Sequence, residues 1–408
     1  REMKKAILIV LDSVGIGAAP DAALYQDEHT HTLGHIIAHY REQQLPFTLP
    51  HLASLGLGRI PGVEGSAAAE PQAGSFYGRL TEASRGKDTV TGHWEMTGIV
   101  TQTPFPVYPQ GFPPEMVETF EQAAGTKILG NEPASGTEII ERLGAAHLAS
   151  GYPIVYTSAD SVWQIAAHEA AIPLEMLYRY CEIARELFKA PPHNIGRIIA
   201  RPFIGELGSF TRTANRRDYA LPPDKHNLLC DLAAAGQTVT AIGKISDIFA
   251  DTCISTSVHT VSNDDGMHKL LELYPQTQNG LLFLNLVDFD AKYGHRRDPY
   301  GYGQALLAFD KQLGQLLSIL DEETLLVITA DHGCDPTAHG TDHTREYVPL
   351  LLYQRGCAEH GALAEAHGFG HIGATIADYL AVPYSGQGQS LLPLAILTRR
   401  EEEDHADL

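Results

Sequence analysis

The sequence predicts an α/β fold, with a core whose mostly parallel β-sheet is sandwiched by helices and a smaller α/β cap domain inserted into it. Three observations support this prediction. Short apolar runs alternate with amphipathic segments along most of the chain, which is the pattern of strands and covering helices. A central segment differs in amino-acid composition and is bounded by stretches rich in Pro or Gly. The 408 residues are 44% hydrophobic and 19% charged, which is typical of a globular chain long enough for a large core with an insertion.

Six of the apolar runs predict strands that are covered on both faces, because they are rich in β-branched residues and end at Gly, Asp or Ser. Five amphipathic segments predict helices. The predicted strands cover residues 5–11, 152–157, 238–243, 280–287, 324–329 and 348–353. The predicted helices cover residues 136–149, 174–189, 265–274, 304–320 and 372–380.

The segment from residue 101 to residue 217 predicts the inserted domain. It opens with TPFPVYPQGFPP and closes with the Arg-rich run RIIARPFIGELGSFTRTANRR. Clusters of Pro and Gly often mark crossings between domains. We therefore expect a discontinuous metal-binding core of residues 1–100 and 218–408, with residues 101–217 as a substrate-binding cap. The acidic tail REEEDHADL is expected to be solvated.

Charge and hydropathy argue against several classes of protein. The net charge of −21 argues against nucleic-acid binding, because affinity for the phosphate backbone comes from clustered Lys and Arg. No stretch approaches the ~20 apolar residues that span a bilayer, and the apolar run at residues 6–11 is too short for a signal peptide. The five Cys residues form no CxxC pair and are expected to be free thiols in a reducing compartment. We expect a cytoplasmic protein without a membrane partner, and the sequence carries no signal for oligomeric state.

Acidic residues follow three of the predicted strands. Asp12 ends the run AILIVLD, Asp288 and Asp290 end LLFLNLVDFD, and Asp331 ends LLVITAD. Any one of them alone is typical of a helix cap or a turn. Ligands bind at the carboxyl ends of strands in open parallel sheets, so the three strand ends together predict a common site.

Histidines accompany two of these acidic positions. His295 follows Asp290 in DAKYGH, and His332 directly follows Asp331, with His339 and His343 further along the chain. A single histidine is more often a surface or core residue than a ligand, but carboxylate and imidazole groups together suit Mn²⁺, Zn²⁺ or Fe²⁺. Two such ions can stabilise the attacking and leaving oxygens of a phosphoryl transfer. The candidate ligands, enough for two ions, are Asp12, Asp290, His295, Asp331, His332 and His343.

The segment GKDTVTGHWEMTG, residues 86–98, contains two hydroxyl side chains, Thr89 and Thr91, together with Lys87 and His93. These residues alone leave two interpretations open. The segment is a polar loop in which a Thr caps a helix, or one Thr is a nucleophile. In the second case its weakly acidic hydroxyl needs activation, which metal coordination can supply.

Four motifs resemble the phosphopentomutase family of the alkaline phosphatase superfamily. They are DSVGIGAAPDA, GKDTVTGHWEMTG, VDFDAKYGHRRDPYGY, and TADHGCDPT with GTDHTREYVPLL, and the resemblance extends over almost the whole chain. It implies an alkaline-phosphatase-like core with an inserted cap. It also implies an isomerase that interconverts α-D-ribose 1-phosphate and ribose 5-phosphate, or the 2-deoxyribose pair. The implied cofactors are two Mn²⁺ ions, with other divalent metals possible, and a sugar bisphosphate as activator.

The resemblance also implies roles for single residues. The ligands of one Mn²⁺ would be Asp12, Asp331 and His332, and those of the other would be Asp290, His295 and His343. Thr89 would be phosphorylated in preference to Thr91, because related mutases place their nucleophilic Ser four residues before the His of a Gly-His pair. Asp288 is expected to lie behind the ligands at its strand end, and His339 has no assigned role. His371 stands where the family more often has an acidic residue, and we expect it to be peripheral.

The run from Arg197 to Arg217 contains five Arg and one acid, Glu206. From composition alone it is equally a solvated basic patch or a phosphate site. The resemblance favours Arg197 and Arg212 as clamps for the distal phosphate of a small sugar-phosphate substrate. It adds Lys244 as an assisting cation and Asp160 as an acceptor for ribose hydroxyls. We expect closure of the cap to complete the site and exclude water.

Three rival functions stay open. A metal-dependent phosphatase or phosphodiesterase has the same metal core and would release inorganic phosphate from ribose 5-phosphate. A phosphoglycerate mutase is disfavoured, because DTVTGH carries Thr where that family typically has Ser. A metal-binding protein without catalysis would need neither the loop at residues 86–98 nor the Arg-rich run.

Overall fold

A computed structural model describes residues 3–64 and 70–397. The chain divides into two compact units, one formed by residues 1–102 with 223–408 and the other by residues 103–222. We call them the core unit and the inserted unit. The acidic tail lies outside the described residues. None of the described helices is long and apolar enough to cross a bilayer.

The strands of the two units, numbered in chain order, are β1 (Lys5–Leu11), β2 (Ser75–Thr81), β3 (Leu129–Pro133), β4 (Ile154–Thr157), β5 (Val162–His168), β6 (Arg197–Ile204), β7 (Thr211–Arg212), β8 (Arg217–Ala220), β9 (Val239–Ile242), β10 (Thr256–Val258), β11 (Gly280–Leu286), β12 (Thr324–Thr329), β13 (Val348–Tyr353), β14 (Gly361–Ala362) and β15 (Ala366–His367).

The α-helices are α1 (Thr32–Glu42), α2 (Pro50–Ser54), α3 (Thr89–Met96), α4 (Pro114–Ala124), α5 (Gly136–Ser150), α6 (Leu174–Leu187), α7 (Leu228–Ala234), α8 (Ile245–Ile248), α9 (Asn263–Leu273), α10 (Pro299–Ile319) and α11 (Gly370–Tyr379). Short 3₁₀ turns cover Ala22–Tyr25, Leu57–Arg59 and Tyr274–Gln276, and a π-helical turn covers Phe289–Gly294. A last helical turn covers residues 394–397.

The sheet of the core unit has the order β10-β9-β11-β1-β12-β13-β2-β14, with β15 also paired to β2. All pairs from β10 to β12 are parallel, whereas β13 is antiparallel to both of its neighbours. Residues 6–10 of β1 are fully buried, as expected for a central strand covered on both faces. Helices α7, α8 and α9 pack on β9 or β11. The predicted α/β fold with a mostly parallel sheet is therefore confirmed.

The inserted unit has its own mixed sheet, with the order β3-β4-β5-β6-β7 and β8 paired to β6. One face of this sheet carries an aromatic cluster around the fully buried Trp163. The ring centroids of Phe112, Phe120 and Phe188 lie 4.3, 5.1 and 4.9 Å from that of Trp163. A second apolar cluster contains Ile139 of α5. Each face thus has a core of its own, which is what an independently packed unit requires.

The cysteine residues differ from the expectation of five free thiols. Cys230 on α7 and Cys253, which follows α8, form a disulfide with Cα atoms 5.0 Å apart. Cys181, Cys334 and Cys357 are free and buried. The expectation was wrong because α7 and α8 both pack against β9, which brings together two residues that lie 23 positions apart without any local motif.

Candidate metal centre

The candidate centre lies at the carboxyl ends of three adjacent strands. β1 lies between β11 and β12, and all three are parallel. Asp12 directly follows β1, and Asp331 follows β12 by two residues. Asp290 lies in the π-helical turn that follows β11. Because the three strands are parallel, their three carboxylates lie at one edge of the sheet, where open α/β folds bind their ligands.

One group of potential ligands contains Asp290, His295 and His343, whose ligand atoms lie within 4.8 Å of one another. The Nε2 atoms of the two imidazoles are 3.0 Å apart. Asp290 approaches them through Oδ2, at 3.2 Å from His295 Nε2, and through Oδ1, at 3.1 Å from His343 Nε2. This is the spacing of side chains that converge on one ion.

A second group surrounds His332. Its Nε2 is 3.0 Å from Asp331 Oδ2 and 3.4 Å from Asp12 Oδ1. The ligand atoms of Asp12, Asp290 and His332 also lie within 4.8 Å of one another, so Asp290 adjoins both groups. All six side chains that the sequence singles out as ligands thus lie in one continuous cluster.

The three imidazoles of the cluster are oriented by backbone carbonyls. In each ring Nδ1 faces a carbonyl oxygen and therefore carries a proton, so Nε2 points into the cluster and can bind a metal once it is deprotonated. The carbonyl partners of His295, His332 and His343 are those of Thr341, Gly333 and Lys87. Metal-binding histidines commonly have such partners.

The cluster concentrates buried negative charge. Burial and the neighbouring carboxylates of Asp331 and Asp290 raise the pKa of Asp12 well above its ordinary value. Burial would also raise the pKa of Asp331, but His332 holds it well below its usual range. Conversely, burial would lower the pKa of His332, but Asp331, Asp290 and Asp12 raise it well above normal. A hydrogen bond to Asp290 raises the pKa of His295.

Three carboxylate oxygens of the cluster are buried and accept no hydrogen bond within the described part of the chain. They are Asp12 Oδ1, Asp290 Oδ1 and Asp331 Oδ2. A buried carboxylate oxygen without a donor is costly unless a cation compensates it. Oxygen and imidazole donors together suit Mn²⁺ and related divalent ions. The residues present therefore fit a site for divalent metals.

Thr89 lies beside this cluster. It is the first residue of α3, and its Oγ1 is 3.1 Å from His332 Nε2. Asp88 caps the helix by accepting from Thr91 N, and its other oxygen accepts from Thr91 Oγ1 at 2.6 Å. The hydroxyl of Thr91 is therefore engaged in the cap, whereas that of Thr89 faces a candidate metal ligand. The interpretation in which a Thr caps the helix was wrong, because the cap is Asp88, and a nucleophilic Thr stays a prediction.

Arg345 holds the turn that leads to Thr89. Its buried guanidinium donates to the carbonyl oxygens of Gly86 and Glu82, at 2.9 and 3.0 Å, and pairs with the carboxylates of Asp21 and Glu82. Sequence reasoning missed this residue. A signal was available, because Arg345 follows the candidate ligand His343 by only two positions.

Three residues that the sequence left without a role lie outside the cluster. Asp288 exchanges two hydrogen bonds with Asn263, through Asp288 Oδ2 and Asp288 N, at the start of α9. His339 is exposed. His371 lies against the carbonyl oxygens of Gln389 and His367. None of the three belongs to a potential metal group among the described residues.

The predicted substrate-binding residues lie in both units. In the inserted unit, Asp160 is exposed in the loop between β4 and β5. Arg197 begins β6 and donates to Asp218 at 3.1 Å, and Arg212 ends β7. In the core unit, Lys244 is an exposed residue before α8 and lies 3.9 Å from Asp247.

Sequence reasoning missed a polar cluster around Tyr156 in the inserted unit. The Tyr156 side chain is 1% exposed and its hydroxyl makes no hydrogen bond within the described residues. The Tyr156 hydroxyl and Arg212 Nη2 both lie against Gly136, the first residue of α5, because a Cβ on Gly136 would collide with both of them. Burial raises the pKa of Tyr156, while the charges of Arg212, Arg201 and Arg216 oppose the rise.

Comparison with known proteins relates the whole chain to one family. Residues 4–384 match the sequence profile of the Metalloenzyme superfamily. A phosphopentomutase of Caldanaerobacter subterraneus subsp. tengcongensis is 52% identical over 390 residues, which cover 96% of this chain and 98% of the relative. A phosphopentomutase of Acetivibrio thermocellus is 51% identical over 391 residues, 96% of this chain and 99% of the relative. The solved structure of a Vibrio parahaemolyticus protein, described as a member of the alkaline phosphatase superfamily, is 12% identical to this chain. Its TM-score is 0.42, and the match covers 96% of this chain and 70% of that chain.

The fold and the clustered Asp and His side chains define a member of the Metalloenzyme superfamily. Within that class, the identity over nearly the whole length of two curated relatives is decisive. The chain belongs to the phosphopentomutase family.

Proposed function

We propose that this enzyme interconverts α-D-ribose 1-phosphate and ribose 5-phosphate, and the corresponding 2-deoxyribose phosphates, with Thr89 as the phosphoryl carrier. The observation that carries the proposal is the position of the Thr89 hydroxyl, 3.1 Å from His332 Nε2 at the edge of the candidate metal centre. The relatives named above support the choice of substrate, since their names are those of phosphopentomutases.

Two divalent ions, for which we favour Mn²⁺, would be held by Asp12, Asp331 and His332 and by Asp290, His295 and His343. When bound, they supply positive charge to the transferring phosphoryl group and to the oxygen of Thr89. The protein contributes a fixed position for that oxygen. Because Thr89 opens α3, the free N–H groups and the dipole of the first turn also favour negative charge there.

The phosphoryl group on Thr89 passes to O1 of ribose 5-phosphate. The bond between Thr89 Oγ1 and phosphorus breaks, a bond between O1 and phosphorus forms, and the proton of the O1 hydroxyl ends on Thr89 Oγ1. The resulting ribose 1,5-bisphosphate reorients, and its 5-phosphoryl group returns to Thr89 by the reverse of this step. Ribose 1-phosphate is left, and a sugar bisphosphate is needed to phosphorylate the resting enzyme.

The arginine residues of the inserted unit would hold a phosphate group of the substrate. Arg212 lies beside the first turn of α5 and the hydroxyl of Tyr156, which has no partner within the described residues. Together they offer donors for hydrogen bonds to a phosphate. Arg197 pairs with the carboxylate of Asp218, whereas Arg201 donates through Nε to the uncharged amide of Gln164, so we assign the larger share of the binding to Arg212 and Arg201. Asp160 and Lys244 remain proposed contacts for the ribose hydroxyls and the phosphate.

A coupled assay tests the function. Enzyme treated with a chelator should have no turnover of α-ribose 1-phosphate, and Mn²⁺ should restore the formation of ribose 5-phosphate. Inorganic phosphate is measured in the same reaction. Steady release of phosphate in place of the isomer would contradict the mutase and support a phosphatase. Stoichiometric metal binding without turnover of any sugar phosphate would support a protein that only binds metal.

A further inference from the structure

A buried amide joins the candidate metal centre to the helix that carries Thr89. Asn285 lies near the end of β11, within the otherwise apolar run GLLFLNL, and is only 3% exposed. Its Nδ2 donates to Asp12 Oδ2 at 2.8 Å and lies 3.2 Å from His93 Nε2. A primary amide has two hydrogens on this nitrogen, so both contacts can be made at once.

The neighbours of His93 determine which of its ring nitrogens carries the proton. His93 is fully buried, and its Nδ1 lies 2.8 Å from the carbonyl oxygen of Thr89 and 3.4 Å from Asp331 Oδ2. Because both of these atoms are acceptors, Nδ1 carries the proton, and Nε2 accepts from Asn285. The reversed orientation of the Asn285 amide would place its oxygen against the carboxylate of Asp12, so the contacts select the orientation observed.

A continuous series of hydrogen bonds therefore connects Asp12 through Asn285 and His93 to the backbone of Thr89. We call this series the link. None of the predicted roles includes Asn285, and the sequence indicates His93 only as a marker of spacing. His93 has a ring nitrogen within 4.8 Å of carboxylate oxygens of Asp12 and Asp331. Its two nitrogens already face the carbonyl of Thr89 and the amide of Asn285, so we assign His93 to positioning and not to metal binding. Asn285 fixes the rotamer of the Asp12 carboxylate, and His93 connects Asn285 to the carbonyl of Thr89 in the first turn of α3.

We propose that Asn285 and His93 are positioning residues that set the distance of the Thr89 hydroxyl from the metal ligands. This inference rests on the proposed role of Thr89. Groups behind metal ligands commonly change metal affinity by about 10- to 100-fold when removed. A displacement of about 1 Å at a reacting atom can cost about 100-fold in rate. Loss of the link is thus expected to lower kcat while KM stays nearly constant, because the substrate contacts are untouched.

The test uses Asn285→Leu, which keeps the size but removes the donor, and His93→Gln, which cannot donate at the position of Nδ1. His93→Asn places its amide nitrogen where Nδ1 stood and should rescue the link to Thr89. Thr97→Val is the matched control, since Thr97 is a buried residue just after α3 whose hydroxyl donates to the carbonyl of Trp94 and not to Asn285 or His93. All variants are compared at saturating Mn²⁺.

We expect kcat to fall about 100-fold in Asn285→Leu and His93→Gln, with KM changed by less than about threefold, and to recover to within about tenfold of the wild type in His93→Asn. Mn²⁺ affinity, measured by titration of the metal-free protein, should fall about tenfold in Asn285→Leu. Thr97→Val should have a melting temperature similar to those of Asn285→Leu and His93→Gln, but its kcat and Mn²⁺ affinity should stay close to those of the wild type.

Unchanged kcat and unchanged Mn²⁺ affinity in Asn285→Leu would overturn the inference. So would an equal loss of kcat in Thr97→Val, or a loss in His93→Gln that His93→Asn does not relieve. Failure of the proposed function is distinguishable, because the Mn²⁺ titration needs no turnover. If Thr89→Val keeps full activity, the role of Thr89 is wrong, and the affinity of Asn285→Leu still decides whether Asn285 positions Asp12.

Discussion

At the scale of single residues, the centre is governed by the cost of burying carboxylates. Asp12 and Asp331 are fully buried, and Asp290 is nearly so. In the metal-free protein the neighbouring imidazoles compensate this charge, which is why the pKa values of His332 and His295 are raised. Divalent cations compensate it better, but they require these imidazoles to be deprotonated. Metal binding and proton release are therefore coupled.

The coupling predicts the pH dependence of metal binding. Since the raised pKa values leave His332 and His295 protonated at pH values where an ordinary His is neutral, metal binding near neutral pH must displace protons. Mn²⁺ affinity should rise with pH by about tenfold per unit for each proton displaced, until the pH passes the raised pKa values. Calorimetric titrations in buffers of different ionisation enthalpy measure the proton release. A pH-independent affinity across the neutral range would contradict it.

The arginine cluster gives a second prediction at this scale. Arg201→Met keeps the aliphatic stem but removes the guanidinium that adjoins Tyr156 and Arg212. The loss of a charge-assisted hydrogen bond, worth about 1.5–3 kcal/mol, should raise KM for ribose 5-phosphate about 10- to 100-fold. Arg179→Met is the control, because Arg179 is 65% exposed and pairs only loosely with Glu182. An unchanged KM in Arg201→Met would remove Arg201 from the proposed phosphate site.

At the scale of elements, the position of α3 depends on close packing against the end of β12. A Cβ on Gly92 would lie 2.5 Å from the carbonyl oxygen of Asp331. Only glycine therefore allows the helix to approach this strand end closely enough for Thr89 to reach His332. The helix, its Asp88 cap and the Arg345 contacts to the preceding turn act together to place one hydroxyl.

This packing predicts the effect of Gly92→Ala. The added methyl group must push α3 away from Asp331, which should cost about 1–3 kcal/mol of stability and reduce mutase activity by more than the stability loss explains. Thermal unfolding and kcat are measured on the same preparation. Gly361→Ala is the control, since a Cβ there meets nothing within 4 Å. Wild-type activity in Gly92→Ala would show that the close approach is not needed.

At the scale of the whole molecule, the sequence predicted the features that follow from strand order and local pattern. The carboxylates of Asp12, Asp290 and Asp331 could be placed together because each follows an apolar run, and parallel strands end at a common edge. β2 was missed because Gly78 and Arg79 interrupt its apolar pattern, and β6 because Pro202 is unusual in a strand. The contacts of Asn285, Arg345 and Tyr156 depend on side chains far away in sequence, so no local pattern could reveal them.

The disulfide gives a prediction for the whole chain. Because the Cα atoms of Cys230 and Cys253 are 5.0 Å apart, the pair can be bridged without backbone movement. Under denaturing conditions without reductant, a thiol reagent should label three of the five cysteines, and all five after reduction. Labelling of all five without reduction would show that the chain is isolated with free thiols, as the sequence alone led us to expect.

The proposed mechanism depends most on Thr89 as the phosphoryl carrier. The direct measurement is mass spectrometry of peptides from enzyme incubated with Mn²⁺ and ribose 1,5-bisphosphate, applied to the wild type, Thr89→Val and Thr91→Val. We predict phosphate on Thr89 in the wild type and in Thr91→Val. Thr89→Val should carry no phosphate and show no mutase turnover, although it still binds Mn²⁺. Phosphate on another residue, or full turnover by Thr89→Val, would contradict this mechanism.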